Sequence, residues 1–247
     1  MENSKPSSSA VSRRYSIPSL RSWVYDTVIV NMTKRWYREV LTKLPVNARI
    51  LDVGIGTGTS LLENRDLIVS KHLHVTGVDY DEHYVIAAIE NVKRFGLEQQ
   101  VALVHASIHD YSPSPSSSSS GDDEKENQRP FDAIYFSGSF MIIPDKAEAL
   151  KRCVRMLKPT TTASSSGSGR VYFTQTFEHE GIVGRYVTPW VKAALKTLLT
   201  IDFGTVTFEK DFLAVLQAAN VEVEQRISLG KAMFREQVLI VAMVPVS

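Results

Sequence analysis

The chain has 247 residues, 43% hydrophobic and 22% charged, which describes one generous globular domain that needs neither metal nor disulfide to hold a core. Its 28 basic and 27 acidic residues leave a net charge of +1, which argues against a dedicated non-specific binder of nucleic acid or anionic membrane. The single cysteine, Cys153, excludes an intramolecular disulfide and any multi-cysteine metal centre, and no apolar run reaches the roughly 20 residues of a bilayer span.

In chain order, residues 1–18 hold too few apolar side chains to offset the entropy of ordering and read as a flexible arm before a single domain over 19–247. The arm lacks the apolar stretch of a secretory signal, so a cytoplasmic protein is expected; its serines with Arg13 and Arg14 leave a mitochondrial presequence as the alternative. From Leu20 to Leu44, apolar residues recur every three or four positions, predicting an amphipathic helix, or two in series, ended before Pro45. Arg49 to Val53 reads as a short strand running into Gly54, Gly56 and Gly58, with a helix starting near Thr59. A second strand runs from His74 to Val78, ending at Asp79. The helix from Glu82 to Phe95 stops at Gly96, with Val85, Ile86, Ile89 and Val92 assigned to its buried face. Strands follow at 101–105, 131–136 and 170–176, with a helix over 145–157 between the last two. Strands alternating with helices of this length predict an α/β, doubly wound, mostly parallel sheet with helices on both faces.

Two Ser-rich stretches, 112–130 and 160–169, hold no large apolar side chain and read as low-complexity loop insertions. Residues 181–203 are unusually apolar and read as a helical lid over an apolar substrate, with a homodimer contact or a membrane-surface contact as alternatives. Cys153, among Val154, Met156 and Leu157, reads as a buried structural thiol. His72 and His74 lack companion ligands, so no metal site is expected.

The sharpest feature is ILDVGIGTGTSL, residues 50–61. Glycines let backbone approach a ligand where a Cβ would collide, and a following helix start offers free N–H groups to an anion. No lysine follows Gly58, so a phosphate-cradling P-loop is set aside. The dinucleotide pattern needs glycine at its sixth position, where Thr59 stands. Asp52, two residues before the glycines, would repel a pyrophosphate but receive an amine, which suits a ligand carrying both ammonium and carboxylate.

On these residues the sequence, from about residue 20 onward, resembles the class I S-adenosylmethionine-dependent methyltransferases, small-molecule branch. The resemblance rests on Asp52, Gly54, Gly56 and Gly58 and on Asp79 at the end of the second strand. It implies a seven-stranded sheet whose last strand is antiparallel, with 207–219 as last helix and 221–227 and 237–244 as closing strands. The implied cofactor is S-adenosylmethionine, released as S-adenosylhomocysteine. Asp79 would bind the ribose hydroxyls with Tyr80 beside it, Ser107 and Ile108 would meet the adenine, and Ser137 and an N-terminal Tyr25 would complete the cofactor site. Ser139 would face the substrate and His179 would serve as general base if the acceptor must lose a proton. The implied activity is in-line transfer of a methyl group to a small or lipid-like acceptor. A protein or RNA acceptor, an NAD-type oxidoreductase and a non-catalytic partner subunit on the same fold stay open as alternatives.

Overall fold

The computed structural model describes residues 30–113, 130–159, 169–178, 207–232 and 235–245. The expected arm, Tyr25, His179, the lid over 181–203 and most of both Ser-rich stretches lie outside the described residues.

Seven strands form one sheet: β1 (Arg49–Val53), β2 (His74–Asp79), β3 (Val101–His105), β4 (Ala133–Ser137), β5 (Arg170–Glu178), β6 (Glu222–Ala232) and β7 (Arg235–Met243). Their order is β3-β2-β1-β4-β5-β7-β6. The first five run parallel, and β7 runs antiparallel to both β5 and β6. The first five strands fall within a few residues of their expected bounds, because each is an apolar run cut off by Gly, Pro or a charged turn. The fourth starts two residues later than expected, and the sixth, expected to end at 227, runs on to Ala232. Phe131 makes only an isolated bridge to Leu157, and the ladder starts at Ala133. Along β6, two register shifts break the pairing with β7, between Val223 and Gln225 and between Ser228 and Gly230.

One face of the sheet is covered by α1 (Asn31–Lys43), α2 (Thr59–Leu62), α3 (Arg65–Ser70) and α4 (Glu82–Phe95). The other is covered by α5 (Lys146–Arg155) and α6 (Glu209–Ala218). On the first face Trp36, Tyr37 and Leu41 of α1 pack on Ile50, Tyr135 and Tyr172. On the second, Phe136 and Phe173 stack at 5.2 Å and both meet Phe140 edge-on, while Phe212 meets Phe140 and Phe173 edge-on. Such rings bury much area and fix their neighbours' orientation.

Two helix readings need correction. The single helix expected after the glycines is two short ones, α2 and α3, joined at Asn64, whose buried amide donates to the Ser60 and Lys34 carbonyls instead of continuing the helical ladder. In α4 the ends are as expected: Asp81 caps the first turn by accepting from His83 N, and Gly96 ends the helix at φ 64°. The buried face is Val85, Ala88 and Val92, whereas Ile86 and Ile89 are 50% and 39% exposed. Alanine fills the contact surface because the helix lies close to the glycine loop, where the added Cβ of Gly58 would already sit 3.8 Å from Ala88 Cβ. Bulkier isoleucines are left outside.

The strand order reverses direction between β1 and β4, with β2 and β3 to one side and β5 and β7 to the other. In open α/β sheets a crevice opens at such a point, outside the carboxyl ends of the strands.

Candidate cofactor site

At that crevice β1 ends in Asp52-Val53 and the chain turns through Gly54, Gly56 and Gly58, with φ of 75°, 59° and 68°. Left-handed backbone at three alternate positions is what a Cβ would resist, so the sequence spacing and the loop shape are one fact. The loop is pinned from several elements. Gly54 N donates to Val78 O at 2.8 Å, and Gly56 N donates to Asp79 Oδ2 at 2.8 Å. Asn91 of α4 donates to the Thr57 carbonyl at 2.9 Å. Ile55 packs over Gly77 of β2, where an added Cβ would lie 2.4 Å from its Cδ1. Thr33 of α1 shares a 2.6 Å hydrogen bond with Ser60. At Gly56 an added Cβ meets nothing within 4 Å, so this bend of the loop borders open space.

Asp52 is 1% exposed. Its Oδ2 accepts a 2.8 Å hydrogen bond from the Tyr37 hydroxyl, and its Oδ1 is buried without a hydrogen-bond partner. Burial, helped by the negative charge of Asp79 and opposed by the Tyr37 hydrogen bond, lifts its pKa from 3.8 to about 7. An orphaned carboxylate oxygen costs free energy in the folded chain unless a donor reaches it. It therefore fits an ammonium group, as the amino-acid end of S-adenosylmethionine provides.

Asp79, at the carboxyl end of β2, is also buried, and its Oδ1 accepts from Asp81 N at 3.0 Å. Each of its oxygens thus holds one backbone N–H and keeps lone pairs for further donors. Tyr80, next in the chain, is 77% exposed at the crevice rim, with its carbonyl accepting from His105 Nε2 at 3.1 Å. Ser107 and Ile108 follow β3. The Ser107 hydroxyl accepts from His109 N at 3.3 Å, and the Ile108 side chain is buried in the core. His109 Nε2 donates to the Pro144 carbonyl, tying the loops after β3 and β4 together at 2.9 Å.

Ser137 ends β4 with its hydroxyl buried and lacking a hydrogen-bond partner. Ser139, expected on the substrate side, lies on the turn just after β4. Ser139 is buried, its hydroxyl donates to the Val53 carbonyl, and its Cβ lies 2.6 Å from where a Gly54 Cβ would stand. Its work is to lock the turn after β4 against the glycine loop. The short 3-10 turn Phe140–Ile142 that follows is anchored by Phe140 in the core and presents Ile142, 62% exposed.

Asp52, Asp79, the three glycines and Ser137 thus converge from the ends of three neighbouring strands, while Ser107 and Ile108 come from the loop after β3. Sequence reasoning missed Tyr37, Gly77 and Asn91. Tyr37 sits among apolar positions of α1 and reads as packing. Gly77 inside a strand was a usable signal, since such a glycine marks a close approach.

Residues 50–160 match a family model described as a methyltransferase domain. Among solved structures, the [4+2]-cyclase SpnF superposes with a TM-score of 0.63 at 16% identity, covering 87% of this chain and 82% of that one. An S-adenosylmethionine-dependent methyltransferase from Aquifex aeolicus gives 0.62 at 19% identity, covering 93% and 100%. The geranyl diphosphate C-methyltransferase from Streptomyces coelicolor A3(2), in complex with Mg2+, geranyl diphosphate and S-adenosylhomocysteine, gives 0.60 at 12% identity, covering 87% and 77%.

Proposed function

We propose, for a chain that holds a methyltransferase domain of the class I, S-adenosylmethionine-dependent kind, that the methyl group goes to a small or lipid-like acceptor. The observation that carries the cofactor geometry is the orphaned Oδ1 of Asp52 beside the left-handed glycine loop. Asp52 would take the ammonium of the cofactor, the bend at Gly56 would lie against its amino-acid end, and Asp79 would accept from the ribose hydroxyls. Ser107 and the Ile108 backbone would border the adenine, with Tyr80 at the rim and Ser137 beside the methionine end. Tyr25 and His179 keep the roles the resemblance gives them, one as a cover and the other as a base.

S-adenosylmethionine, when bound, supplies a methyl group on a sulfonium that is already an activated leaving group. What remains for the protein is proximity, alignment and exclusion of water. The turn after β4 suits that task, because Ser139 bonds it to β1 and Phe140 roots it in the aromatic core. Ile142, held out on that rigid turn beside the crevice, supports an apolar acceptor. A near-neutral net charge supports the same reading over a nucleic-acid one. The apolar stretch 181–203 would serve as lid, or as a contact with a second copy or a membrane surface. No helix among the described residues is long and apolar enough to cross a membrane.

The first test is calorimetric titration with S-adenosylhomocysteine, with NAD as control. Micromolar binding that Asp79→Ala weakens at least tenfold is the expected result. Preference for NAD would overturn the reading. Acceptors are then screened with labelled methyl donor, small and prenyl-like molecules against protein and RNA.

A further inference from the structure

Beneath α1 the sheet changes character along the strands. Near the amino ends of β1 and β4, Ile50 and Ala133 make an apolar floor. Toward the carboxyl ends, on the same face, comes Asp52 level with Tyr135, then Ser137 and Thr174 one row further, and the phenol of Tyr135 reaches Thr174 Oγ1 at 2.8 Å. Two rings of α1 cover this polar strip. The Trp36 indole donates to Gln237 Oε1 at 3.1 Å, and the Tyr37 hydroxyl donates to Asp52 Oδ2. Tyr37 is also held by its edge-on contact with Tyr135 at 4.9 Å.

We propose that Tyr37 is the positioning residue for the cofactor's amino-acid end: by occupying Oδ2 of Asp52 it leaves Oδ1 turned to the ligand's ammonium and favours the charged carboxylate that the ammonium needs. The proposal rests on the cofactor reading above. It also couples the site to the helix. A hydrogen bond to an ionised carboxylate is stronger than one to its neutral form, so a ligand that draws Asp52 into its charged form tightens α1 onto the sheet, and by reciprocity a well-docked α1 favours the ligand.

The titratable groups facing Asp52 are few. They are Tyr37 from α1, Tyr135 from β4 and Asp79 from β2. Burial holds both phenols well above their ordinary range, so neither titrates with Asp52. Of the forces on Asp52, only the Tyr37 hydrogen bond acts to favour its charge. Removing the hydroxyl leaves burial and Asp79 unopposed.

The experiment is calorimetry between pH 6 and pH 9 on the wild-type protein, Tyr37→Phe and Asp52→Asn. Each is titrated with S-adenosylhomocysteine and, separately, with 5′-methylthioadenosine, which keeps adenine and ribose but lacks the amino-acid end. Phenylalanine preserves the ring contact with Tyr135, and thermal melts of each variant verify folding. For the wild type, S-adenosylhomocysteine affinity is expected to fall roughly tenfold from pH 8 to pH 6. Tyr37→Phe should bind it several-fold more weakly at pH 7, with the deficit narrowing as pH rises. Asp52→Asn should bind weakly with a flat profile. 5′-Methylthioadenosine should show neither the pH dependence nor the loss. A Tyr37→Phe profile that overlies the wild type, or an equal loss for both ligands, overturns the positioning role while leaving the cofactor reading intact. Failure of the wild type to bind either ligand overturns both.

Discussion

Asp52 is kept where ionisation is costly, and the sign of that cost is measurable. Its pKa is raised from 3.8 to about 7 on folding, so the fold holds a proton that the unfolded chain gives up over that interval. Stability from this group is full below about pH 4 and is lost as pH rises through about 7. At pH 8 the ligand-free protein carries a penalty on the order of 4 kcal/mol. Asp52→Asn keeps an acceptor for the Tyr37 hydroxyl without the charge. Its melting temperature should exceed that of the wild type, by a margin that widens on the order of 5–10 °C between pH 5 and pH 8. A constant margin across that range, measured by calorimetric melts, would contradict the assignment. The acid and the glycines are legible from sequence because a strand that ends in Asp and runs into alternate glycines has few other uses. Tyr37 is not, since its polar partner lies on another element and local spacing carries no trace of it. The Ser139 bond is illegible for the same reason: being small and following a strand says nothing about the Val53 carbonyl it reaches.

At the scale of elements, α1 depends on a residue from outside itself. Lys71, just past α3, donates from Nζ to the carbonyls of Leu41, Thr42 and Leu44 at 3.0, 2.6 and 2.7 Å. These are the carbonyls a helix C-terminus leaves unpaired, and a cation there also suits the helix dipole. Partial burial lowers the Lys71 pKa, a modest cost against three charge-assisted bonds. Lys71→Met should destabilise the protein by about 1–3 kcal/mol in denaturant titrations and speed hydrogen exchange in the last turn of α1. Unchanged exchange there would deny Lys71 the capping role. Element bounds are legible where punctuation is strong: Pro45 beyond α1, Asp81 and Gly96 around α4. They blur where a side chain replaces a ladder bond, as Asn64 does between α2 and α3. The inward face of α4 is misread because hydrophobicity ranks Ile86 above Ala88, whereas the space left by the glycine loop favours the smaller residue.

At the scale of the whole molecule, alternating periods predict the parallel α/β sheet, while the strand order is a matter of long-range pairing that periodicity does not encode. The two Ser-rich stretches precede β4 and β5, entering at the amino ends of those strands, whereas the site is built at the carboxyl ends. Replacing 114–129 and 160–168 with short Gly-Ser linkers should leave S-adenosylhomocysteine affinity within about twofold and the melting temperature within a few degrees, because loop length costs little entropy. A tenfold loss of affinity would assign those stretches a part in the site. The outer rim of the sheet has its own logic. β6 runs eleven residues and, among the described residues, pairs only with β7. Its two register breaks misalign the free N–H and C=O groups, and Glu222, Glu224, Arg226 and Lys231 stand exposed along it. A foreign strand laid against this rim would find neither a straight ladder nor an apolar stripe. Among the described residues the longest edge strand is thus a poor template for aggregation.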